Sequence, residues 1–322
     1  MSLTKRLALG LSLLSVLPAA RAADTPLPAP VIFAPGIISG PANDGAPTFT
    51  PDGNTLYFTR SGASWGEILE SHRTAGTWSQ PEIASFSGPS SDLQPSLSPD
   101  GRTLVYASWR VNLKADGTKE MVADLWRVDR AGTGWSTPVH LPPTVNIARR
   151  EFKPSLAANG DLYFMATDGP GGAISKFRLY RAAWRHGAYQ QAQPLSFSDG
   201  TVSDVDAFIA PDSSYLIFSS KGRRTPDDDH EHLFIAFRNG EGWSPPQPIR
   251  YDGDALAADD GEAQVSPDGK TLYFTSSRTL PMHQSRDRAQ MLEDFARLEA
   301  WDNSNNNVWT LPLTPYLALK PS

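Results

Sequence analysis

Apolar and polar positions in this chain are arranged in short bursts with a period near two, interrupted by turn residues. Thr48-Phe49-Thr50 and Thr55 to Thr59 flank Pro51-Asp52-Gly53. The same arrangement recurs with Asp92 and then Pro95 to Tyr106, with Glu151 to Phe164 around Asn159-Gly160, with Asp204 to Phe218 around Pro211-Asp212, and with Asp260 to Phe274 around Pro267-Asp268-Gly269. Alternating runs joined by a short Asp-Gly connection predict antiparallel hairpins, because glycine accepts the positive φ such turns require. A looser pattern follows each hairpin. Asp124 to Val128, a polar turn over Arg130 to Gly134, and Trp135 to Leu141 predict two further strands. Related stretches are Glu67 to Arg73 with Trp78 to Pro81, Phe177 to Trp184 with Tyr189 and Pro194, and His232 to Arg238 with Trp243 to Pro246.

Four antiparallel strands repeated five times predict an all-β, five-bladed β-propeller. The turn landmarks Asp52, Asp100, Asn159, Asp212 and Asp268 are 48, 59, 53 and 56 residues apart, which is one blade plus variable loops. The blades are expected near 44–88, 92–145, 151–198, 204–251 and 260–315. The fifth repeat has a third strand, Val308 to Leu313, but no fourth. Pro30-Val31-Ile32-Phe33 resembles Pro138 to Leu141, so residues 28–38 are expected to complete the last blade and remove the open edges of the ring. Between 279 and 307 the last blade carries an insertion. Met291, Phe295, Leu298 and Trp301 recur there at helical spacing, which predicts a helix whose apolar stripe packs on the body of the protein.

Lys5 and Arg6, the apolar run Leu7 to Leu17, and Ala20-Arg21-Ala22 read as a secretory signal over residues 1–22, leaving 23–322 as one domain destined for the periplasm or the medium. The run is too short for a membrane span. Losing Lys5, Arg6 and Arg21 leaves 26 basic against 35 acidic residues, a balance that argues against nucleic acid as a partner. The chain has no cysteine, which excludes disulfides, thiolate metal sites and a cysteine nucleophile. No cofactor is expected, a divalent cation excepted, and a ring closed by its own chain is expected to act as a monomer.

Candidate chemistry lies before the inner strands. Asp44, Asp92, Glu151, Asp204 and Asp260 share one offset and should ring one mouth of the central channel, with Asp206 and Glu262 two residues further on in repeats four and five. Like charges about 10 Å apart repel by ~1.7 kcal/mol per pair at an effective dielectric near 20, so cations must answer them. Arg60, Arg110, Lys221 and Arg278, at the ends of the second strands, are the candidates; repeat three has Asp168 instead. The bland reading of most of these carboxylates is pairing between blades, with Asp206 and Glu262 the functional exceptions. His230 and His232, in the acidic loop from Lys221 to His232, offer a candidate metal site, although such a loop is more often simply solvated. Trp78, Trp126, Trp135, Trp243 and Trp309 recur and should pack between blades, whereas Trp65 and Trp109 do not recur and are placed to stack on a ligand. There is no Gly-x-Ser-x-Gly elbow and no phosphate-binding loop.

An acidic residue, a proline and Ser-Pro-Asp-Gly before an apolar strand resemble the TolB-like, WD-like β-propeller repeats. Gln94 to Tyr106 and Glu262 to Phe274 match that pattern best, followed by Pro47 to Phe58. Ala157 to Gly160 lacks the turn proline and Ser213 stands at the turn glycine. TolB itself has a further N-terminal domain and six blades, for which the roughly 20 residues between the signal and Asp44 leave no room. The resemblance implies an exported binding or scaffold module whose acidic, loop-rich channel mouth takes a protein, peptide or envelope polymer. The rival expectation is a carbohydrate-active enzyme, hydrolase or lyase, with an acid and base drawn from Glu151, Asp204, Asp206 and Glu262. A metal-dependent reaction around His230 and His232 is the third.

Overall fold

The structure is a computed structural model and describes residues 26–113, 117–167, 176–254 and 258–321. It is a five-bladed β-propeller. From the axis outward, blade 1 is formed by Asn43–Phe49, Thr55–Ser61 and Gly66–Thr74, with short outer strands. Blade 2 follows with Asp92–Leu97, Thr103–Ser108 and Asp124–Ala131, and blade 3 with Arg150–Leu156, Leu162–Thr167 and Arg178–Ala182. Blade 4 has Ser203–Ile209, Tyr215–Lys221 and Glu231–Asn239, and blade 5 has Asp260–Val265, Thr271–Ser276 and Asn307–Pro312. Val31–Ile32 pairs antiparallel with Thr310 and Trp309, so the N-terminal segment is the outer strand of blade 5 and joins the two ends of the chain. The expected signal segment, residues 1–22, and Asp168 lie outside the described residues.

The middle strands are buried on both faces, because each blade is sandwiched between two others. Along Thr55–Ser61, Tyr57 packs toward blade 2 while Leu56 and Phe58 pack toward blade 5, the alternation a pleated strand imposes. Five hydrophobic clusters result, one for each pair of adjacent blades, and together they close the ring. The recurrent tryptophans serve these seams. Trp135 of blade 2 meets Tyr57 and Phe86 of blade 1 edge-on and donates from Nε1 to the Tyr57 hydroxyl at 3.3 Å.

The Pro-Asp-Gly turns sit together on one face, called the far face below. The glycines at 53, 101, 160 and 269 adopt φ between 68° and 86°, and Ser213 takes the same left-handed conformation at 60°. The turn aspartate closes the loop. Asp100 Oδ1 accepts from Ser98 Oγ at 2.6 Å and from the Arg102 amide at 3.0 Å, and Asp52 and Asp268 repeat the pattern.

The insertion in blade 5 forms the helix Arg288–Ala300, started by a capping box between Asp287 and Gln290. Its orientation differs from the expected one. Met291 and Phe295 are exposed, Leu298 is half-buried, and the buried side is carried by Asp294 and, just past the helix, Trp301. Asp294 accepts from Arg286 at 2.9 Å and faces His283 and Arg297, so a buried carboxylate with three basic neighbours decides which side turns inward. A short second helix, Thr314–Leu317, follows the last strand.

Candidate functional site

At the face opposite the Pro-Asp-Gly turns, the inner strands begin and the second strands end. Asp44, Asp92, Asp204 and Asp260 are all buried there, and each is clamped by one arginine. Arg60 reaches Asp44 at 2.6 Å, Arg110 reaches Asp92 at 2.7 Å, and Arg278 reaches Asp260 at 2.9 Å. In blade 4 the clamp is Arg223, at 2.8 Å from Asp204. Lys221, the residue expected from the strand end, instead pairs with the exposed Asp229 at 3.3 Å, because the register sets Ser220, not Lys221, opposite Asp204. The clamps have a second task. Arg60, Arg110 and Arg223 also donate to the carbonyls of Ile38, Phe86 and Phe197, on the segments that cross from one blade to the next. Arginine–carboxylate pairs that also bind the crossing backbone are staples between blades, bidentate at Asp44 and Asp204 and through a single bond at Asp92. Glu151, at the same position in blade 3, is buried and accepts the Ala148 amide.

A second, inner ring lies two residues further along. Each inner strand bulges against its partner strand, so that two residues oppose one. The bulge residue takes a positive φ in every blade: 48° at Ala46, 55° at Gln94, 43° at Lys153, 56° at Asp206 and 50° at Glu262. None of these is glycine, so each costs backbone strain, and the return is a side chain delivered toward the axis. Contacts across the ring demonstrate this. Gln94 of blade 2 donates from Nε2 to Glu262 Oε1 of blade 5 at 2.8 Å and accepts the Lys153 amide of blade 3 at 3.0 Å. Asp206 Oδ2 accepts the Glu262 amide at 3.2 Å, and Thr275 Oγ1 donates to Glu262 Oε2 at 2.8 Å.

The cluster is asymmetric, and its charges act on one another. Burial, reinforced by the Glu262 and Glu231 charges, pushes the Asp206 carboxyl well above its usual range. Burial and then Asp259 and Glu262 push Glu231, at the start of a neighbouring strand, up to about 7. Burial pushes the Lys153 ammonium down, opposed by Glu262 and Asp206. Two glycines make the arrangement fit. A Cβ at Gly261 would stand 2.6 Å from Asp206 Oδ2, and one at Gly45 would collide with Glu262 and Thr275. Across the same mouth Trp109 packs against Phe152 at 5.4 Å between ring centroids, and Phe152 against Phe177 at 6.1 Å.

Sequence reasoning reached Asp206, Glu262 and Trp109 but missed Gln94, Lys153 and Glu231. The signal for the first two was the offset that singled out Asp206 and Glu262, applied to the remaining blades. His230 and His232 are not brought together on one ligand. His232 Nε2 meets Asp228 at 2.8 Å while His230 faces Asp259 at 3.5 Å, because successive alternate residues here leave the loop and enter a strand. Among the described residues no group of three His, Asp or Glu side chains could hold a metal ion, and no helix is long and apolar enough to cross a membrane.

No protein-family model and no curated protein matches the chain. Solved structures with similarity to it include a protein assigned as TolB from Agrobacterium tumefaciens, at 18% identity and TM-score 0.48, over 73% of this chain and 70% of that one. TolB from Acinetobacter baumannii is similar at 13% identity and TM-score 0.47 over 84% of this chain, which spans 54% of that protein's length. The xyloglucan-locus protein GH43B of Bacteroides ovatus is similar at 14% identity and TM-score 0.49, over 88% of this chain and 54% of that one.

Proposed function

We propose that the protein is a binding module that takes a protein or peptide segment on the face bearing the clamped and axial carboxylates. One observation carries this reading. Of the fourteen large apolar residues exposed among the described residues, nine lie on the loops between second and third strands at that face. Blade 1 contributes Trp65, blade 2 contributes Val111, Leu113 and Met121, and blade 5 contributes Leu280, Met282, Met291, Leu292 and Phe295. Apolar surface concentrated on three adjacent blades is the mark of an interaction surface rather than of scattered exposure. Blade 4 opposes it with the charged loop that holds Arg223, Arg224, Asp227 and Asp228. The N-terminal pattern of Lys5, Arg6 and Leu7 to Leu17 supports export, so the partner is sought in the periplasm or outside the cell.

The test is site-directed photocrosslinking with the reactive group at Leu113 or Phe295, compared with the far-face position Asp100. Adducts confined to the loop face support the reading, and adducts of equal yield at Asp100 sink it. A second reading, a carbohydrate-active enzyme, is favoured by one specific feature: Asp206, with its raised carboxyl, stands beside Glu262, as an acid and base pair would. Turnover of a glycan panel that disappears in Asp206→Asn would establish it, and absence of turnover would leave the binding module.

A further inference from the structure

We propose that the axial cluster is the seat for one cationic nitrogen, the ammonium or guanidinium of a lysine or arginine side chain presented by the segment that docks on the apolar loops. The proposal rests on the binding reading and specifies what enters the channel. Asp206, Glu231 and Glu262 converge there. A Cβ at Gly261 would lie 2.6 Å from Asp206 Oδ2 and 3.6 Å from Glu231 Oε2, so the two carboxylates share the space over that glycine.

Among the described residues two cations answer the three carboxylates: Lys153, itself buried and acting on Asp206 and Glu262, and Lys221, which acts on Glu231 while its ammonium pairs with the exposed Asp229. Asp206 is only 6% exposed, yet its Oδ1 has no hydrogen-bond partner. A buried carboxylate oxygen without a donor calls for one. Elsewhere on this face the same demand is met from within, by the arginine clamps on Asp44, Asp92, Asp204 and Asp260.

The shape of the demand selects the donor. Among the described residues no three acidic or histidine side chains gather closely enough to hold a metal ion, whereas an ammonium with three donors or a guanidinium with five can span separated oxygens. Glu231 and Glu262 are half-buried. The aromatic wall of Trp109, Phe152 and Phe177 suits the apolar stem that brings such a charge in.

The experiment titrates the mature protein by calorimetry with four acetylated and amidated tripeptides, leucine-X-leucine, where X is lysine, arginine, norleucine or glutamate. The lysine and arginine peptides should bind, and norleucine should bind about 30-fold more weakly, the effect of leaving a buried charge without its partner. Glu231→Gln, which is half-buried and expected to fold, should reduce the lysine peptide's affinity and leave the norleucine peptide's unchanged; Asp206→Asn should do the same more strongly. Norleucine or glutamate binding as well as lysine overturns the proposal, as does the absence of any lysine-dependent heat at millimolar peptide. In either case crosslinking at Leu113 and Phe295 still decides the binding module separately, because those loops lie outside the cluster.

Discussion

The two carboxylate rings at one mouth of this propeller are two residues apart in sequence and differ in what completes them. The outer ring is self-sufficient. Asp44, Asp92, Asp204 and Asp260 are each met by an arginine of the same blade, and three of those arginines also bind the crossing segments. The inner ring is heterogeneous, carrying Ala46, Gln94, Lys153, Asp206 and Glu262 at one structural position, and it leaves a buried oxygen of Asp206 without a donor. Equal acidity in sequence therefore marks two roles. A charge repeated in register with its counter-charge holds the ring together, and a charge that appears in only two of five copies is available for something else.

Breaking the outer ring should have the largest effect. Arg278→Ala strips Asp260 of its clamp in a site where both partners are nearly fully buried, and the Tyr251 hydroxyl, which bonds both, keeps only its bond to Asp260. The expected loss is about 3–5 kcal/mol, read as a fall in the chemical-denaturation midpoint. A variant as stable as the parent would show that the clamp is decorative. Gly261→Ala attacks the inner ring through space instead. The new methyl meets Asp206 Oδ2, and the carboxyl must shift, at about 1–3 kcal/mol. Because the outer clamps are untouched, its unfolding should remain a single cooperative transition, and loss of cooperativity would deny the separation of the two rings.

How much of this was readable in advance follows the same division. Repetition exposes whatever every blade needs, and so the hairpins, the Pro-Asp-Gly turns, the seam tryptophans and the closing strand at Val31–Ile32 could all be placed from residue pattern. The outer acidic positions were legible for the same reason. What pairs with them was legible where the arginine stands at a short, repeated reach: Arg60 lies directly opposite Asp44, and Arg110 and Arg278 stand two residues past the serines opposite Asp92 and Asp260. In blade 4 the reach is one residue longer, from Ser220 opposite Asp204 to Arg223, and a loop's path is not encoded in alternation. The helix failed differently. Its apolar stripe, Met291, Phe295, Leu298 and Trp301, was real as a spacing, but Asp294 with His283, Arg286 and Arg297 governs the orientation, and periodicity of apolar residues is blind to a buried ion cluster. Lys153 and Gln94 escaped notice because their type differs from that of Asp206 and Glu262, even though a shared bulge gives them a shared direction.

A subtler test separates the rings by pH. Glu231, pushed up to about 7, faces Asp206, Asp259, Asp260, Glu262 and Lys221. A carboxyl whose folded value exceeds its ordinary 4.5 contributes stability that is fully present below 4.5 and lost as pH rises through about 7. Glu231→Gln removes that dependence. The variant should match the parent near pH 4.5 and exceed it at pH 8, by about 1–2 kcal/mol once solvent screening of a half-buried group is allowed for. The difference curve between the two proteins isolates this group from the outer-ring pairs, which are common to both. A flat difference between pH 4.5 and 8 would mean that Glu231 is not held among the other carboxylates.

The smallest expected effect is the most discriminating about the bulge itself. Ala46 occupies the inner-ring position of blade 1 with φ 48°, but brings no polar group to the axis, so the bulge recurs where no chemistry needs it. If the bulge is architectural and only its side chains are functional, Ala46→Gly should be nearly silent. Relief of left-handed strain favours glycine, while the greater freedom of the unfolded chain and the loss of one buried methyl oppose it, so the net change should fall within about 0.5 kcal/mol in either direction. The same replacement at Gln94 keeps the backbone argument and adds the loss of the bonds to Glu262 and to the Lys153 amide, so it should destabilise by about 1–3 kcal/mol. Denaturation of the two glycine variants side by side therefore subtracts the shared backbone term. Equal costs would place the energetics of the inner ring in its backbone; a silent Ala46→Gly beside a costly Gln94→Gly places them in the cross-channel side-chain network, where a ligand could compete.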